Sequence, residues 1–297
     1  MDMNILITGG TGFIGKLVCD RLSDHTLYVL SRKPRQSTSK INYLTWKELE
    51  DQLSSLDIQA VINLAGETIA QRWTKSSKER IYSSRIETTK RLIELFKTTP
   101  LDVFISASAI GYFGDRGGEI LTEDSEPGTG FLSEVCKAWE AEALKARAKR
   151  KVILRFGMVL GKDGGALPKM LLPFKLGLGS VFGDGKMWMS WIHVDDLVGI
   201  IESVLTKFNG IYNAVAPTPV TNREFTDTLA SELQRKAFFS TPALALKLTV
   251  GEMSELVLSS QRVLPKKLKD EGFNFRYKNL SQALNDILAQ SKSKRKV

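Results

Sequence analysis

The segment Ile5-Leu6-Ile7-Thr8-Gly9-Gly10-Thr11-Gly12-Phe13-Ile14-Gly15 decides the fold of this 297-residue chain. Its first four residues favour a β-strand, and residues 16–22 after it have the apolar spacing of a helix. Gly9, Gly12 and Gly15 suit a tight turn, a close approach of backbone to a pyrophosphate, and close packing of helix on strand. The N-terminus of the helix would supply N–H donors and the positive end of a dipole. The segment therefore predicts a dinucleotide-binding strand, turn and helix.

The same alternation of strand and helix continues through the first half of the chain. The predicted elements are strands at 27–30, 60–64, 103–106 and 152–155 and long helices at 78–97 and 131–148. Apolar strands alternating with long helices indicate right-handed βαβ units and a parallel sheet covered on both faces. The predicted class is α/β, a Rossmann-type doubly wound parallel sheet.

The pattern changes near residue 163, where glycine and proline become frequent. We predict that a smaller, mainly helical C-terminal substrate lobe begins there, and that a β-rich stretch near 210–216 returns to the sheet. The predicted organisation is an NADP-binding Rossmann domain over 1–163, a substrate lobe over 164–290 with a C-terminal helical domain at about 242–290, and a disordered basic tail over 291–297.

Composition and charge exclude several classes of protein. The net charge is +9, but four of the cations lie in the last six residues, so the body carries about +5. We recognise no nucleic-acid-binding module in the sequence. The positive charge is better explained by a solvated surface and a site for an anionic ligand than by binding of a specific nucleic acid. No apolar run has the roughly 18 residues of a membrane span, and no basic segment precedes the first strand. We expect a cytoplasmic protein with no membrane contact.

The end of the second predicted strand bears on which dinucleotide binds. A carboxylate there would hydrogen-bond the adenosine ribose and repel a 2′-phosphate, whereas this chain has Ser31-Arg32-Lys33. Arg32 could hold a phosphate through charge-assisted hydrogen bonds, and Ser31 could donate one more. The alternative is a solvated basic turn. We predict NADP(H) as the cofactor.

Further motifs lie along the whole chain. They include Asn63-Leu64-Ala65-Gly66-Glu67, Arg72-Trp73, Ser84-Arg85-Ile86-Glu87-Thr88-Thr89, Trp139-Glu140, Ile153-Leu154-Arg155, residues 171–179, residues 191–197 and Gln261-Arg262-Val263-Leu264-Pro265. Together with the glycine turn, they resemble the extended short-chain dehydrogenase/reductase family in its nucleotide-sugar epimerase branch. The narrower set resembles an atypical, YfcH-like epimerase subgroup that ends in a short helical domain of unknown function.

The glycine turn, the end of the second strand and the resemblance together predict a set of residues that contact the cofactor. They are Gly9, Thr11, Gly12, Phe13, Ile14, Gly15, Ser31, Arg32, Leu64, Ala65, Gly66, Arg85 and Val159, with Val159 near the nicotinamide end. Ordinary relatives have an asparagine where this chain has Arg85. A guanidinium there could reach a cofactor phosphate or ribose, or could form a salt bridge on the helix surface.

The usual catalytic pair of these enzymes is missing from this chain. Ordinary relatives use a tyrosine and a lysine four residues later, which are neighbours on one helix face. The corresponding helix here offers either Leu132 with Cys136 or, one residue along, Ser133 with Lys137. Neither alignment supplies a phenol.

Other residues could replace that pair. By the resemblance, Ser108 would orient a substrate carbonyl, with Ser106 as the alternative, and Tyr112 is the nearest proton donor or else a packed aromatic ring. Glu67 could act as an acid or base unless it pairs with Arg72. We expect His193 to have a structural role. The segments that carry Arg155, Lys175, Lys186 and Trp188 are predicted to face the cleft.

The sequence thus predicts an NADP(H)-binding, epimerase-like oxidoreductase that acts on a small, unidentified substrate, anionic or a nucleotide sugar. One alternative is a non-catalytic NADPH sensor or assembly protein that retains the dinucleotide site. Another is an active nucleotide-sugar epimerase. We predict no metal site, and the sequence leaves a homodimer open.

Overall fold

The structure is a computed structural model that describes residues 2–293. Its strands are β1 (Asn4–Thr8), β2 (Thr26–Leu30), β3 (Ile41–Leu44), β4 (Ala60–Asn63), β5 (Leu101–Ala109), β6 (Ile120–Leu121), β7 (Ala148–Phe156), β8 (Met158–Leu160), β9 (Ser180–Phe182), β10 (Trp188–Met189), β11 (Trp191–His193), β12 (Gly210–Ala214), β13 (Val220–Thr221), β14 (Phe239–Thr241) and β15 (Arg262–Val263).

Helices alternate with these strands. They are α1 (Phe13–Arg21), α2 (Trp46–Leu56), α3 (Lys75–Leu95), α4 (Phe131–Ala143), α5 (Leu167–Lys175), α6 (Val194–Thr206), α7 (Asn222–Glu232), α8 (Ala243–Val250), α9 (Glu255–Leu258), α10 (Lys266–Asp270) and α11 (Leu280–Ser293). Two short 3₁₀ helices lie at Ile110–Phe113 and Gly251–Ser254.

Seven parallel strands form the central sheet, in the order β12-β7-β5-β4-β1-β2-β3. The chain leaves β1 toward β2 on one side and later returns to β4 on the other side. This reversal opens a crevice beyond the carboxyl ends of β1 and β4, where open α/β sheets bind their ligands. The order confirms the predicted doubly wound sheet.

Both faces of the sheet are buried because successive residues of each strand point to opposite sides. In β1, Ile5 and Ile7 join the apolar cluster that contains α1 and α6, whereas Leu6 joins the cluster that contains α2 and the end of α3. Helices therefore cover both faces and leave the carboxyl edge of the sheet open for a site.

The C-terminal lobe has its own apolar cluster. It packs α5, α7 and α11 around Trp191. The pairs β10–β13 and β9–β14 lie within the lobe, whereas β8–β11 and β6–β15 connect it to earlier parts of the chain. Strand β12 returns to the sheet beside β7, at the place predicted for a later strand. The division into a domain over 1–163 and a lobe over 164–290 stays a prediction.

The C-terminal end of the chain differs in part from the predicted disordered tail. Helix α11 extends to Ser293, so residues 291–293 of the predicted tail are helical, while residues 294–297 lie outside the described residues. No helix within residues 2–293 combines the length and the apolarity that crossing a membrane requires.

Candidate functional site

The glycine turn has the geometry of a dinucleotide site. Gly9 adopts a φ of 71°, and its carbonyl accepts a hydrogen bond of 2.9 Å from the Gly12 N–H. A Cβ atom on Gly15 would lie 2.2 Å from that carbonyl oxygen. Gly12 caps α1 without a side-chain hydrogen bond, so the first N–H groups of the helix face the crevice. These residues fit a pyrophosphate.

A buried polar network fixes the loop that follows β4. The Thr8 hydroxyl donates to Asn63 Oδ1 at 2.7 Å, and Asn63 Nδ2 donates to Thr89 Oγ1 at 2.8 Å. Trp139 Nε1 donates to the same Thr89 oxygen at 3.0 Å, and the Ala65 N–H donates to Thr8 Oγ1 at 3.2 Å. The network therefore sets the position of the predicted cofactor residues Leu64, Ala65 and Gly66.

The end of β2 carries the predicted phosphate-binding residues. Arg32 is exposed, and its guanidinium makes no ion pair within the described part of the chain. Ser31 is 8% exposed, and its hydroxyl donates to the Lys33 carbonyl at 2.8 Å. Arg32 is therefore available to a phosphate, whereas Ser31 would have to exchange an internal hydrogen bond.

Phe13 connects the glycine turn to the loop that follows β8. Its ring lies so close to Gly164 that a Cβ atom there would be 2.2 Å from the ring, and a Cβ on Gly161 would be 2.4 Å from it. The carbonyl of Val159 accepts a hydrogen bond from Ala166 N at 3.0 Å. Phe13 thus packs against the loop that follows β8, Thr11 and Ile14 are partly exposed, and the contact of Val159 with the cofactor stays a prediction.

Arg85 on α3 lies beneath the loop that follows β4. Its guanidinium donates to the Glu67 carbonyl and to the Ile81 carbonyl, each at 3.0 Å, and lies 5.3 Å from the Trp139 ring centroid. No salt bridge between residues 2 and 293 involves Arg85, so the helix-surface ion pair is not formed. Burial lowers the pKa of Arg85, and the neighbouring Cys136 and Glu67 offset only part of that effect.

Helix α4 carries both pairs of residues that the sequence offers in place of the missing tyrosine and lysine. Leu132 and Cys136 face the 3₁₀ helix: a Cβ on Gly111 would lie 3.2 Å from Leu132 Cβ and 3.8 Å from Cys136 Sγ. Burial raises the pKa of the Cys136 thiol to about 11. By contrast, Lys137 forms a surface ion pair with Glu134. Cys136 thus faces the 3₁₀ helix whereas Lys137 does not, but Ser133 also contacts this helix, so the choice between the two alignments stays a prediction.

Ser108 belongs to a buried charged network. Its hydroxyl donates to Glu140 Oε1 at 2.6 Å, and Glu140 forms two hydrogen bonds of 2.8 Å with the Arg155 guanidinium. Ser108 and Arg155 are each 2% exposed. The Arg155 side chain is not exposed to the cleft, because Glu140 neutralises its charge inside the protein, and the prediction that its segment faces the cleft stays a prediction. Ser108 would have to release Glu140 before it could polarise a carbonyl, so its role stays a prediction.

Tyr112 lies on the 3₁₀ helix directly after β5. The Arg155 Cζ atom is 3.5 Å from its ring centroid, and the ring is partly exposed. Its carbonyl accepts a hydrogen bond from Ser133 Oγ at 2.9 Å. The backbone and one face of the ring are thus held in place. The role of Tyr112 as a proton donor stays a prediction.

Glu67 and Ser106, whose roles the sequence leaves open, both form hydrogen bonds within the protein. Glu67 accepts a long hydrogen bond of 3.4 Å from Gln71 and forms no ion pair with Arg72 in the described structure. Ser106 is fully buried and donates to the Ala107 carbonyl at 3.1 Å. Ser106 is therefore a weaker candidate than Ser108, which lies nearer the end of β5.

His193 lies 1% exposed at the start of α6 and stacks on Tyr277 at 3.8 Å. Its Nδ1 accepts a hydrogen bond from Asp195 N at 3.1 Å, so the neutral ring carries its proton on Nε2. Nε2 lies 3.4 Å from an Asp286 carboxylate oxygen. His193, Asp195 and Asp286 are close enough together to hold a metal ion, but this tautomer offers an N–H rather than a lone pair.

We expect His193 to make stability depend on pH. Burial lowers the pKa of His193 below its ordinary value of about 6.5, against opposing effects of Asp195, Asp286 and Asp196. Its contribution is therefore fully present above pH about 6.5 and is lost as the pH falls through the lowered pKa. Thermal melts at pH 7 and pH 5 should show a smaller acid-induced loss in His193→Gln than in the wild type.

The second histidine of the chain provides the control for these melts. His25→Gln makes the same substitution at a side chain that is 22% exposed, so it measures the effect of exchanging a histidine for glutamine outside the His193 site. The same acid-induced loss in His193→Gln and in the wild type would contradict a buried, neutral His193.

Comparison with known proteins agrees with this geometry. The family model described as "NAD dependent epimerase/dehydratase family" matches residues 5–214, and a model for a domain of unknown function, DUF1731, matches residues 241–287. The Arabidopsis thaliana protein named "Epimerase family protein SDR39U1 homolog, chloroplastic" is 38% identical, with 97% of this chain and 87% of that protein covered. Epimerase family protein YfhF of Bacillus subtilis is 39% identical, with 98% and 100% covered.

A solved structure extends the similarity to the whole fold. The crystal structure of human epimerase family protein SDR39U1 (isoform 2) with NADPH superimposes with a TM-score of 0.87 at 33% identity. The superposition covers 97% of this chain and 99% of the human one. From the matched model, the relatives and the site, we conclude that the chain belongs to the NAD dependent epimerase/dehydratase family.

Proposed function

We propose that the protein is an NADP(H)-dependent, epimerase-like oxidoreductase of the cytoplasm that acts on a small molecule without the usual tyrosine and lysine pair. The observation that carries the proposal is the end of β2, where the chain has Arg32, which makes no ion pair among the described residues, instead of a carboxylate. The human relative was crystallised with NADPH, which supports the same choice of dinucleotide.

Different segments of this chain would bind different parts of the cofactor. The turn from Gly9 to Gly15 would bind the pyrophosphate, and Arg32 would bind the 2′-phosphate. The loop Leu64–Gly66 would border the ribose, with Arg85 beneath it, and Val159 would border the nicotinamide. When bound, the cofactor supplies or accepts a hydride.

The chemical step would depend on Tyr112. Because α4 has no tyrosine and its lysine, Lys137, forms a surface ion pair with Glu134, the partly exposed Tyr112 is the nearest group that could move a proton to or from a substrate oxygen. A second candidate function is a non-catalytic NADPH sensor. It is favoured by one observation, the engagement of Ser108 with Glu140 rather than with the cleft.

We expect wild-type protein to epimerise ordinary nucleotide sugars poorly, because a positioned acid or base contributes roughly 10²–10⁴-fold to rate. A screen of carbonyl substrates with NADPH should instead find a different substrate. On that substrate, Tyr112→Phe should lower turnover by roughly 10²-fold or more and leave NADPH affinity intact. NADPH oxidation and UDP-sugar epimerisation are the two measurements.

Each outcome separates the candidates. Robust UDP-sugar epimerisation would establish the active-epimerase alternative. Undiminished turnover in Tyr112→Phe would remove Tyr112 from the site. Tight NADPH binding without turnover in a broad screen would favour the sensor.

A further inference from the structure

Arg262 and Trp188 form a stacked pair of side chains where the C-terminal lobe meets the sheet domain. The Arg262 Cζ atom lies 4.1 Å from the Trp188 ring centroid, and both side chains are half-buried. Within residues 2–293, Arg262 has no carboxylate partner, and no acceptor takes the indole N–H of Trp188. Two hydrogen-bond donors, one of them cationic, thus meet at one place without an acceptor.

The backbone around the pair is held by hydrogen bonds on both sides. Trp188 N donates to Ser260 Oγ at 2.9 Å, and Gln261 N donates to the Trp188 carbonyl at 3.0 Å. Arg262 belongs to β15, where it pairs in register with Ile120 of β6. Little conformational freedom therefore remains to be lost when a ligand binds.

The same segment supports the turn that carries Tyr112. Gln261 Nε2 donates to the Ile110 carbonyl at 3.1 Å and to the Gly114 carbonyl at 2.9 Å. Gln261 and Arg262 are adjacent in sequence, so one short segment both fixes the 3₁₀ helix and presents the guanidinium. Arg262 thus belongs to the segment that holds the turn with Tyr112 in place.

Nearby charges do not neutralise the guanidinium. The Asp115 carboxylate accepts hydrogen bonds from Ser260 N and Gly117 N, and Glu119 pairs with Arg116. Asp115 and Glu119 are thus held by partners other than Arg262.

We propose that Arg262 and Trp188 form a binding site for an oxyanion group of the substrate, a carboxylate or a phosphate. The guanidinium supplies charge-assisted hydrogen bonds, and the indole holds its plane and adds the Nε1–H donor. The inference rests on the proposed function only in taking this cleft as the substrate cleft. It assigns the substrate an anionic group, which the sequence left open.

The test is calorimetric titration with pyrophosphate and, separately, with malonate. NADPH is first added to saturation, so that the phosphate sites of the cofactor are filled. At least one of the two anions should bind to wild type, and its affinity should fall about tenfold or more in Arg262→Met. Trp188→Phe keeps an aromatic ring and removes the N–H, so it should give a smaller loss. The anion that shows this dependence identifies the group as phosphate or carboxylate.

The matched control is Arg276→Met, because Arg276 is another arginine of the same lobe that lies over an aromatic ring, 5.2 Å from the Tyr277 centroid. Its anion affinity should equal that of the wild type, and all variants should keep the wild-type circular dichroism spectrum. Equal anion affinity in wild type and Arg262→Met, or no binding of either anion to wild type, would overturn the proposal. Failure of NADPH to bind would instead count against the proposed function, and the anion titrations would then be made without it.

Discussion

Glu140→Ala is expected to lower the free energy of unfolding by about 3–5 kcal/mol. The substitution leaves the Arg155 guanidinium, 2% exposed, without its carboxylate, and it leaves the Ser108 hydroxyl without its acceptor. An uncompensated charge in the interior costs far more than the lost pair contributes. Urea denaturation of wild type and variant measures the difference.

Two further variants make this result specific. Glu134→Ala removes a carboxylate from the same helix whose partner is the surface residue Lys137, and it should cost less than about 1 kcal/mol. The double variant Glu140→Met with Arg155→Met removes both buried charges and should recover much of the stability. If Glu140→Ala is no more destabilising than Glu134→Ala, the buried charged network does not have the assigned importance.

Arg32→Asp should weaken NADPH binding by roughly 10 to 150-fold, the equivalent of about 1.5–3 kcal/mol. The substitution removes charge-assisted hydrogen bonds to the 2′-phosphate and places a like charge beside it. The new carboxylate can accept hydrogen bonds from a ribose, so NADH affinity should hold or rise. Calorimetric titration of the variant with each cofactor measures both effects.

The control for Arg32→Asp is Arg21→Asp, which changes the charge by the same amount. Arg21 lies at the far end of α1 and pairs with Glu202, away from the crevice. Its cofactor affinities should match those of the wild type. A similar loss in both variants would mean that net charge, rather than a phosphate contact, determines the affinity.

The glycine turn could be predicted from the sequence because local pattern determines it. Gly9, Gly12 and Gly15 stand between a strand and a helix, and each glycine has a steric reason that sequence spacing already indicates. The sheet followed for the same reason, since alternating strands and helices permit few topologies.

The catalytic half depends on contacts between distant segments, which no local pattern shows. In the sequence, Glu140 is recognisable only as part of a motif. In the structure, it joins Ser108 of β5 to Arg155 of β7. Thr89 likewise lies in a motif that does not indicate its role, which is to connect Asn63 to Trp139 by hydrogen bonds. The one indication of these contacts in the sequence is that Glu140 and Thr89 are polar residues at helix positions that face the sheet.

Which residue of α4 faces the 3₁₀ helix also required the structure. Cys136 and Lys137 are adjacent in sequence, and a helix places neighbouring residues about 100° apart, so only packing determines which one faces the 3₁₀ helix. The buried thiol faces it, and the lysine forms an ion pair on the surface.

The central claim is that this site recognises the 2′-phosphate of NADP(H), and titration of the wild-type protein with NADPH and with NADH under one set of conditions tests it most directly. The account predicts that NADPH binds at least about tenfold more tightly, because only NADPH engages Arg32 through a phosphate. Equal affinities for the two cofactors, or tighter binding of NADH, would contradict it.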